Sequence, residues 1–439
     1  MTTHNGMVTV RWSVGAFAAL MIGLAAAGCS TLLDVPYPGR IPVEQLNDPN
    51  LASVLALGVV GDLECAYNNY FSASAAHSDE FEASNDNGLL AAAGERNTTG
   101  DNDDYATGPC EANVSDFGLQ VPMHTARFQA EDVYNRLKNW TDAQMPSGVN
   151  RTKLMAMVRA YGAYAYTFFG ETYCEFYKDG VKQGSPPGSA TTRDPVSLAV
   201  ASNTAVEEFT EAITLANQAG GDDDIVNLAN VGLARANMDL KKWPEAATAA
   251  AKVPAGWELY ATRGIENDRR WNKLYYFFNS LGAFVVSNSF RNLNDPRVPI
   301  QDTHKGAFNP DIDLWVTTKY SSLADPVRLA SYREAQLILA EALASQGDAA
   351  GAMNILNSRR GEVGLAPLPA TADPNVAVDN VIEERRRELA FEGGHRLNDL
   401  LRKGIPWKAS GTTNPFTGRP YGATTCWPTP TKEINGAKP

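Results

Sequence analysis

The residues best suited to chemistry in this chain are aromatic. Between Trp257 and Tyr320 it gathers Trp257, Tyr260, Trp271, Tyr275, Tyr276, Phe277, Phe278, Phe284, Phe290, Phe308, Trp315 and Tyr320, with little helical period. Aromatics collected in irregular chain point to a binding surface carried on loops. The flat C–H faces of sugar rings stack on Trp and Tyr, and sugar hydroxyls bond to the Asn, Asp, Arg and Gln that share this stretch. Trp257, Trp271, Tyr275, Tyr276 and Trp315 are therefore the candidate ligand-contacting residues. Against this, any single one of these rings is more ordinarily loop-core packing.

Catalysis has no comparable footing. The five histidines, His4, His77, His124, His304 and His395, fit neither HExxH nor another metal-ligand spacing. No GxSxG, Walker or dinucleotide glycine pattern occurs. A glycosidase carboxylate pair is defined by distance in space, so it leaves no mark in one sequence. The expectation is a binding protein, not an enzyme, with no cofactor and no metal. Asp101, Asp103 and Asp104 imitate the start of a calcium loop, but Tyr105 and Ala106 stand where an EF-hand needs an oxygen ligand and a glycine. They read as a solvated turn within a polar surface loop from Ser84 to Ser115, and Asp222, Asp223 and Asp224 read as an exposed turn between helices.

The N-terminus sets the compartment. Residues 1–12 carry one positive charge, Arg11, and no acid; Ser13 to Ala27 is apolar or small and too short to span a bilayer. The expectation is a cleaved export signal over residues 1–28, of lipoprotein type, with Cys29 as the acylated first residue. Residues 29–50 would form a tether, and residues 51–439 a single helical domain. No second long apolar run is apparent after the signal. The formal net charge is −12, which argues against nucleic acid and anionic lipid headgroups as partners. Cys65, Cys110, Cys174 and Cys426 allow two disulfides in three pairings. Cys65 with Cys174 and Cys110 with Cys426 is the preferred pairing, since each would tie a loop to a distant part of the core.

The elements that position these residues are helical. Met123, Ala126, Ala130, Val133, Leu137 and Trp140 keep helical spacing, as do Leu154, Met157, Val158, Tyr161, Ala165 and Phe168, so two neighbouring helices are expected. Val206–Ala219, Asn227–Lys241 and Pro244–Lys252 continue the pattern. Tyr332, Ala335, Leu339 and Leu343 form one apolar stripe with a polar opposite face; Gly347 then stops the helix and Asp348 caps its return. Ala234, Trp243, Ala246 and Ala250 sit at tetratricopeptide spacing, and so do Ala340, Ala349, Ala352 and Leu356. A further helix carries Val378, Val381, Ile382 and Leu389 inward. Taken alone, its run Glu383–Glu388 reads as a solvated face.

The order YREAQLILAEAL, GDAAGAMNILNSRR, ERRRELAFEGGHRLNDLLR and CWPTPTKEIN resembles the C-terminal part of the SusD/RagB family of outer-membrane nutrient-binding lipoproteins. The match is strongest over 326–436. The early SDE and the segment VRAYGAYAYTFFGETYCEFYKDG are similar to earlier family landmarks. Asn398 departs from it, standing where the family usually has a bulky residue. The resemblance implies a mostly α fold, a tetratricopeptide-like helical scaffold with long insertions. It also implies a lipid-anchored outer-membrane protein that captures a glycan or other nutrient for a SusC-like TonB-dependent transporter. The competing expectation is an envelope scaffold whose groove binds a peptide or protein.

Overall fold

Short polar residues start the helices. Asn150, Asp194, Asp222, Ser331, Asp348 and Asp373 each accept a backbone N–H of the helix that follows, and Pro195 and Pro374 occupy first turns. The computed structural model describes residues 43–85, 88–101, 110, 117–184 and 192–436. The export signal, Cys29, and Asp103 and Asp104 lie outside the described residues.

Val43–Asn47 forms a short 3-10 turn. The unit from Pro49 onward begins with α1 (Ala52–His77), β1 (Phe81–Ala83), α2 (Gly88–Gly94), α3 (Gln120–Asn139) and α4 (Arg151–Thr172). The small strands β2 (Tyr177–Lys178) and β3 (Val181–Lys182) precede α5 (Pro195–Gln218), α6 (Asp223–Asp239) and α7 (Trp243–Ala250). The aromatic insertion holds β4 (Glu258–Ala261), a π-helical turn (Tyr275–Ser280), β5 (Phe284–Val286), α8 (Asn288–Arg291), β6 (Ile300–Gly306) and β7 (Asp313–Thr317). It is followed by β8 (Val327–Ser331), α9 (Tyr332–Ser345), α10 (Ala349–Glu362), α11 (Pro374–Glu388), α12 (His395–Lys403) and α13 (Thr431–Gly436).

The chain is mostly α-helical, and its helices stack as hairpins. From α3 through α7 each packs on the next, α7 meets α9, and α9 carries both α10 and α11. Ala234, Ala246 and Ala250, with Ala340, Ala349, Ala352 and Leu356, are buried, as tetratricopeptide-like packing requires. At Gly232 a Cβ would lie 2.1 Å from the Phe209 ring, so the α5–α6 contact depends on that glycine. Three two-stranded antiparallel ladders take strands from the insertion, β1 with β5, β4 with β8 and β6 with β7, and a fourth, β2 with β3, falls between α4 and α5 in the chain.

Helix α1 is long and apolar enough to cross a membrane by length and composition. Its position is that of a core helix: Leu63 to His77 is buried without a break, and Tyr67 and Tyr70 stack on Phe168 of α4. Asn68, Asn69 and Ser72 within it have hydrogen-bond partners, which is what burial demands of polar groups.

Several expectations need correction. Glu384, Arg385 and Glu388 of the charged run are buried, not solvated. Arg297 reaches Asp295, Glu384 and Glu388 at 2.7, 2.7 and 3.3 Å, and Arg385 holds Asp399 at 3.0 Å. On α9, Glu334 and Glu341 of the expected polar face are likewise internal, while Arg333 stays partly exposed. Burial acts to raise the Glu341 carboxyl, but Arg402 and Lys403 outweigh it and hold the group down to about 2. Asn398 fits this interior by donating to Asp239 at 2.9 Å, a contact a bulky apolar residue could not make.

The expected surface loop from Ser84 contains α2, where Leu90, Ala91, Ala92 and Ala93 are buried because four successive apolar residues cannot be left in water. Phe277, Phe278, Phe284, Phe290 and Tyr320 of the insertion belong to the main core. The disulfides are Cys65–Cys110 and Cys174–Cys426, with Cα separations of 5.7 and 5.0 Å, in place of the preferred pairing. Cys110 is bonded to Cys65 of α1, and the C-terminal segment lies along the end of α4, where Tyr173 bridges Trp427.

Candidate functional site

The five aromatic candidates are all half-buried. Trp271 and Tyr276 form a pair, with ring centroids 5.2 Å apart, and the Trp271 carbonyl accepts from Asn68 of α1. Tyr275 opens the π-helical turn, its N–H donating to Asn272 Oδ1 at 2.9 Å. Trp257 donates from Nε1 to Asp224 at 3.0 Å. Trp315 on β7 lies 5.0 Å below the Arg291 guanidinium. No ring contact joins Trp257 or Trp315 to the Trp271–Tyr276 pair among the described residues.

A crevice of about 320 Å³ lies elsewhere, where the beginning and end of the chain meet. His77 from the end of α1, Asp79 from the following turn, Glu82 of β1 and Arg96 beyond α2 form one side. Leu400 of α12, Trp407, Lys408 and Tyr421 form the other. The two sides are laced through backbone: Gly422 N–H donates to the Glu95 carbonyl at 2.7 Å, and Asn97 Nδ2 to that of Pro420 at 2.9 Å. Gly422 must be a glycine, since a Cβ there would sit 2.2 Å from the Arg96 carbonyl.

The crevice combines flat rings with fixed polar groups. The Arg96 guanidinium lies 5.3 Å from the Trp407 ring and 5.9 Å from Tyr421, and Lys408 Nζ is 5.0 Å from the same tyrosine. Asp79 accepts two bonds of 2.6 Å from Arg396. Glu82 accepts the Tyr421 hydroxyl at 2.7 Å and meets Lys408. Burial brings the Lys408 ammonium down to about 8. Such a surface can stack on a ring and exchange hydrogen bonds with its hydroxyls.

His77 Nδ1 lies 2.9 Å from the Ala93 carbonyl, and its ring is 4.5 Å from Trp427. Burial pushes its pKa down to about 4, so the folded protein keeps it neutral while the unfolded chain protonates near 6.5. Its contribution to stability is therefore complete above pH 6.5 and is lost as pH falls toward 4. Comparing urea midpoints of the wild type and His77→Gln between pH 7 and pH 4 should show the wild type losing its lead by about 3 kcal/mol. A pH-independent difference would mean that His77 is not held neutral.

None of the crevice residues is a binding candidate on sequence grounds, and Asp79 stands out there only as part of the SDE landmark. Two signals point toward the crevice, the SDE after α1 and the IPWK segment after Gly404, but each occupies one end of the chain.

A stack of helix hairpins with a ring-lined crevice beside it is a tetratricopeptide-like helical scaffold. A model of the SusD family matches residues 325–432, the region of β8, α9–α12 and the buried ion pairs. No curated protein matches the chain. Among solved structures, a SusD superfamily protein from Bacteroides vulgatus ATCC 8482 is similar at 17% identity and TM-score 0.65, covering 88% of this chain and 96% of that one. A SusD-like carbohydrate binding protein from the same strain matches at 16% identity and TM-score 0.62, with the same coverage. A SusD superfamily protein from Bacteroides thetaiotaomicron VPI-5482 matches at 13% and 0.63, covering 88% and 97%. At these identities the structures speak for the fold, and the family match is carried by the C-terminal region. Residues 325–432 thus match the SusD family, and the chain as a whole shares the fold of these SusD-like structures.

Proposed function

We propose that this protein captures a saccharide nutrient in the crevice between Arg96 and Trp407 and delivers it to a TonB-dependent transporter of the outer membrane. The observation that carries the reading is the convergence of Trp407, Tyr421, Arg96, Asp79 and Glu82 on one concave surface in a SusD fold. A similar protein described as carbohydrate binding supports the ligand class. Acylation at Cys29 would hold the protein at the membrane, and the helical stack offers a rigid face to the transporter. The Trp271–Tyr276 pair is a second stacking surface on which a longer chain could rest.

Calorimetric titration of the chain from Ser30 against oligosaccharides and polysaccharides tests this. Trp407→Ala should weaken binding about tenfold, the equivalent of one lost stacking contact, and no product should be released from the saccharide. Binding left intact in Trp407→Ala but lost in Trp271→Ala would move the site to the insertion. Absence of binding across the panel would favour a peptide or another nutrient.

A further inference from the structure

Arg96 is only 4% exposed, and the hydrogen bond it donates goes to a neutral group, the backbone carbonyl of Lys408. Its flat faces meet Trp407 and Tyr421. Arg127, Arg235, Arg297, Arg359, Arg385 and Arg396 are similarly buried, and each holds a carboxylate. Buried Arg263 donates to the Glu64 backbone carbonyl and has that residue's carboxylate charge nearby, whereas no carboxylate among the described residues acts on Arg96 in this way. No carboxylate pairs with Arg96 among the described residues, and burial lowers its pKa. The two acids that line the crevice with it are already engaged: Asp79 faces Arg396 through both oxygens, and Glu82 meets the Tyr421 hydroxyl and Lys408. His77, on the same wall, is neutral.

A buried guanidinium without a counter-charge is unfavourable, and a planar fork of donors fits a carboxylate or a sulfate better than it fits a hydroxyl. We propose that the crevice selects an acidic saccharide, one whose ring carries a carboxylate or sulfate group that pairs with Arg96 while the ring stacks on Trp407 or Tyr421. This rests on the capture reading above and narrows it to a substrate class. The chain as a whole has a net charge of −12, so its overall field does not draw anions in. Selectivity would come from the local cation, with Lys408 at the rim as a second donor.

Matched oligosaccharide pairs separate the two readings. The purified protein is titrated with trigalacturonate and galactotriose, triglucuronate and maltotriose, and a sulfated galactotriose. At least one acidic member should bind about 10- to 100-fold more tightly than its neutral partner, the range of one charge-assisted contact. Which acid binds best tells carboxylate from sulfate. Arg96→Gln should lower the affinity for the acidic member at least tenfold more than that for its neutral partner, whereas Arg96→Lys should keep part of the preference. The preference should also shrink as salt is raised, a measurement that needs no variant and stands even if Arg96→Gln does not fold. Equal affinity for acidic and neutral members, or an equal loss of both in Arg96→Gln, overturns the inference and leaves saccharide capture intact. No binding by any member overturns both.

Discussion

Replacing Arg235 with methionine should destabilise the protein by about 3–5 kcal/mol, the cost of leaving buried charges without their partner. Arg235 of α6 is fully buried. It holds Glu171 of α4 through both oxygens, lies 3.4 Å from Glu334 of α9, and donates to the Gly393 carbonyl at 2.8 Å. Tyr70 of α1 adds a 2.7 Å bond to the same Glu171. One guanidinium thus ties together three helices of the stack and the glycine turn before α12. Gly394 in that turn has φ of 72°, and a Cβ there would lie 2.6 Å from the Tyr70 ring. Methionine fills much of the volume but strands two carboxylates in the interior. Burial already pushes Glu334 up to about 7 even with Arg235 in place. The deficit should therefore be larger at pH 8 than at pH 5, because protonation relieves the stranded acids. The measurement is the urea midpoint at both pH values, with Glu171→Gln added to Arg235→Met as the second arm. Recovery of a kcal/mol or more in the double variant would show coupling. Simple additivity would mean that Arg235 acts mainly by packing.

The same interior explains what the sequence could and could not reveal. Helix positions, caps and the small residues at tetratricopeptide spacing follow from local chemistry, so α3, α4, α6, α7 and α9–α11 were legible, and α5 only from Val206 onward although it begins at Pro195. The charged run on α11 was misread because its partners, Arg297, Arg360 and Asp399, lie on other elements. A signal was present nonetheless: Ala377, Val381, Arg385 and Glu388 recur at spacings of three and four, so the apolar stripe continues into charged residues instead of stopping before them. On a solvated helix the charges would have occupied the opposite face, as Glu383 does here with Arg386 and Arg387.

The binding surface was less legible. Aromatic content alone cannot separate Phe277 and Phe278, which close the core, from Trp271 and Tyr276, which remain half-buried. The crevice depends on contacts such as Arg96 with Lys408 and Glu82 with Tyr421, 312 and 339 residues apart. No periodicity spans such distances. The family resemblance supplies the architecture, but crevice chemistry is set by single side chains that a scaffold leaves free to vary.

Removing the Cys174–Cys426 bridge should affect both stability and binding, and it should do so more than removing Cys65–Cys110. The first bridge closes a loop of 252 residues and the second one of 45. The chain-entropy estimate is about 5 kcal/mol for the longer loop and about 4 for the shorter, with engineered removals generally falling in the range of about 2–5 kcal/mol. Entropy alone separates the two only modestly, so the decisive difference is structural. Around Cys426 the C-terminal segment is held to the end of α4 by Cys174 N–H to the Trp427 carbonyl and by Trp427 N–H to the Thr172 carbonyl, both 2.9 Å. Trp407 and Tyr421 lie on the stretch between α12 and this staple, so the crevice wall is anchored at one end by helix packing and at the other by the disulfide. With Cys174 and Cys426 both changed to serine, that wall gains freedom before the helical stack opens. Saccharide affinity should fall at temperatures where circular dichroism still reports full helix, whereas the corresponding change at Cys65 and Cys110 should lower the melting temperature with little loss of affinity below it. Parallel loss of helix and affinity in both variants would instead mean that the wall is held by packing alone.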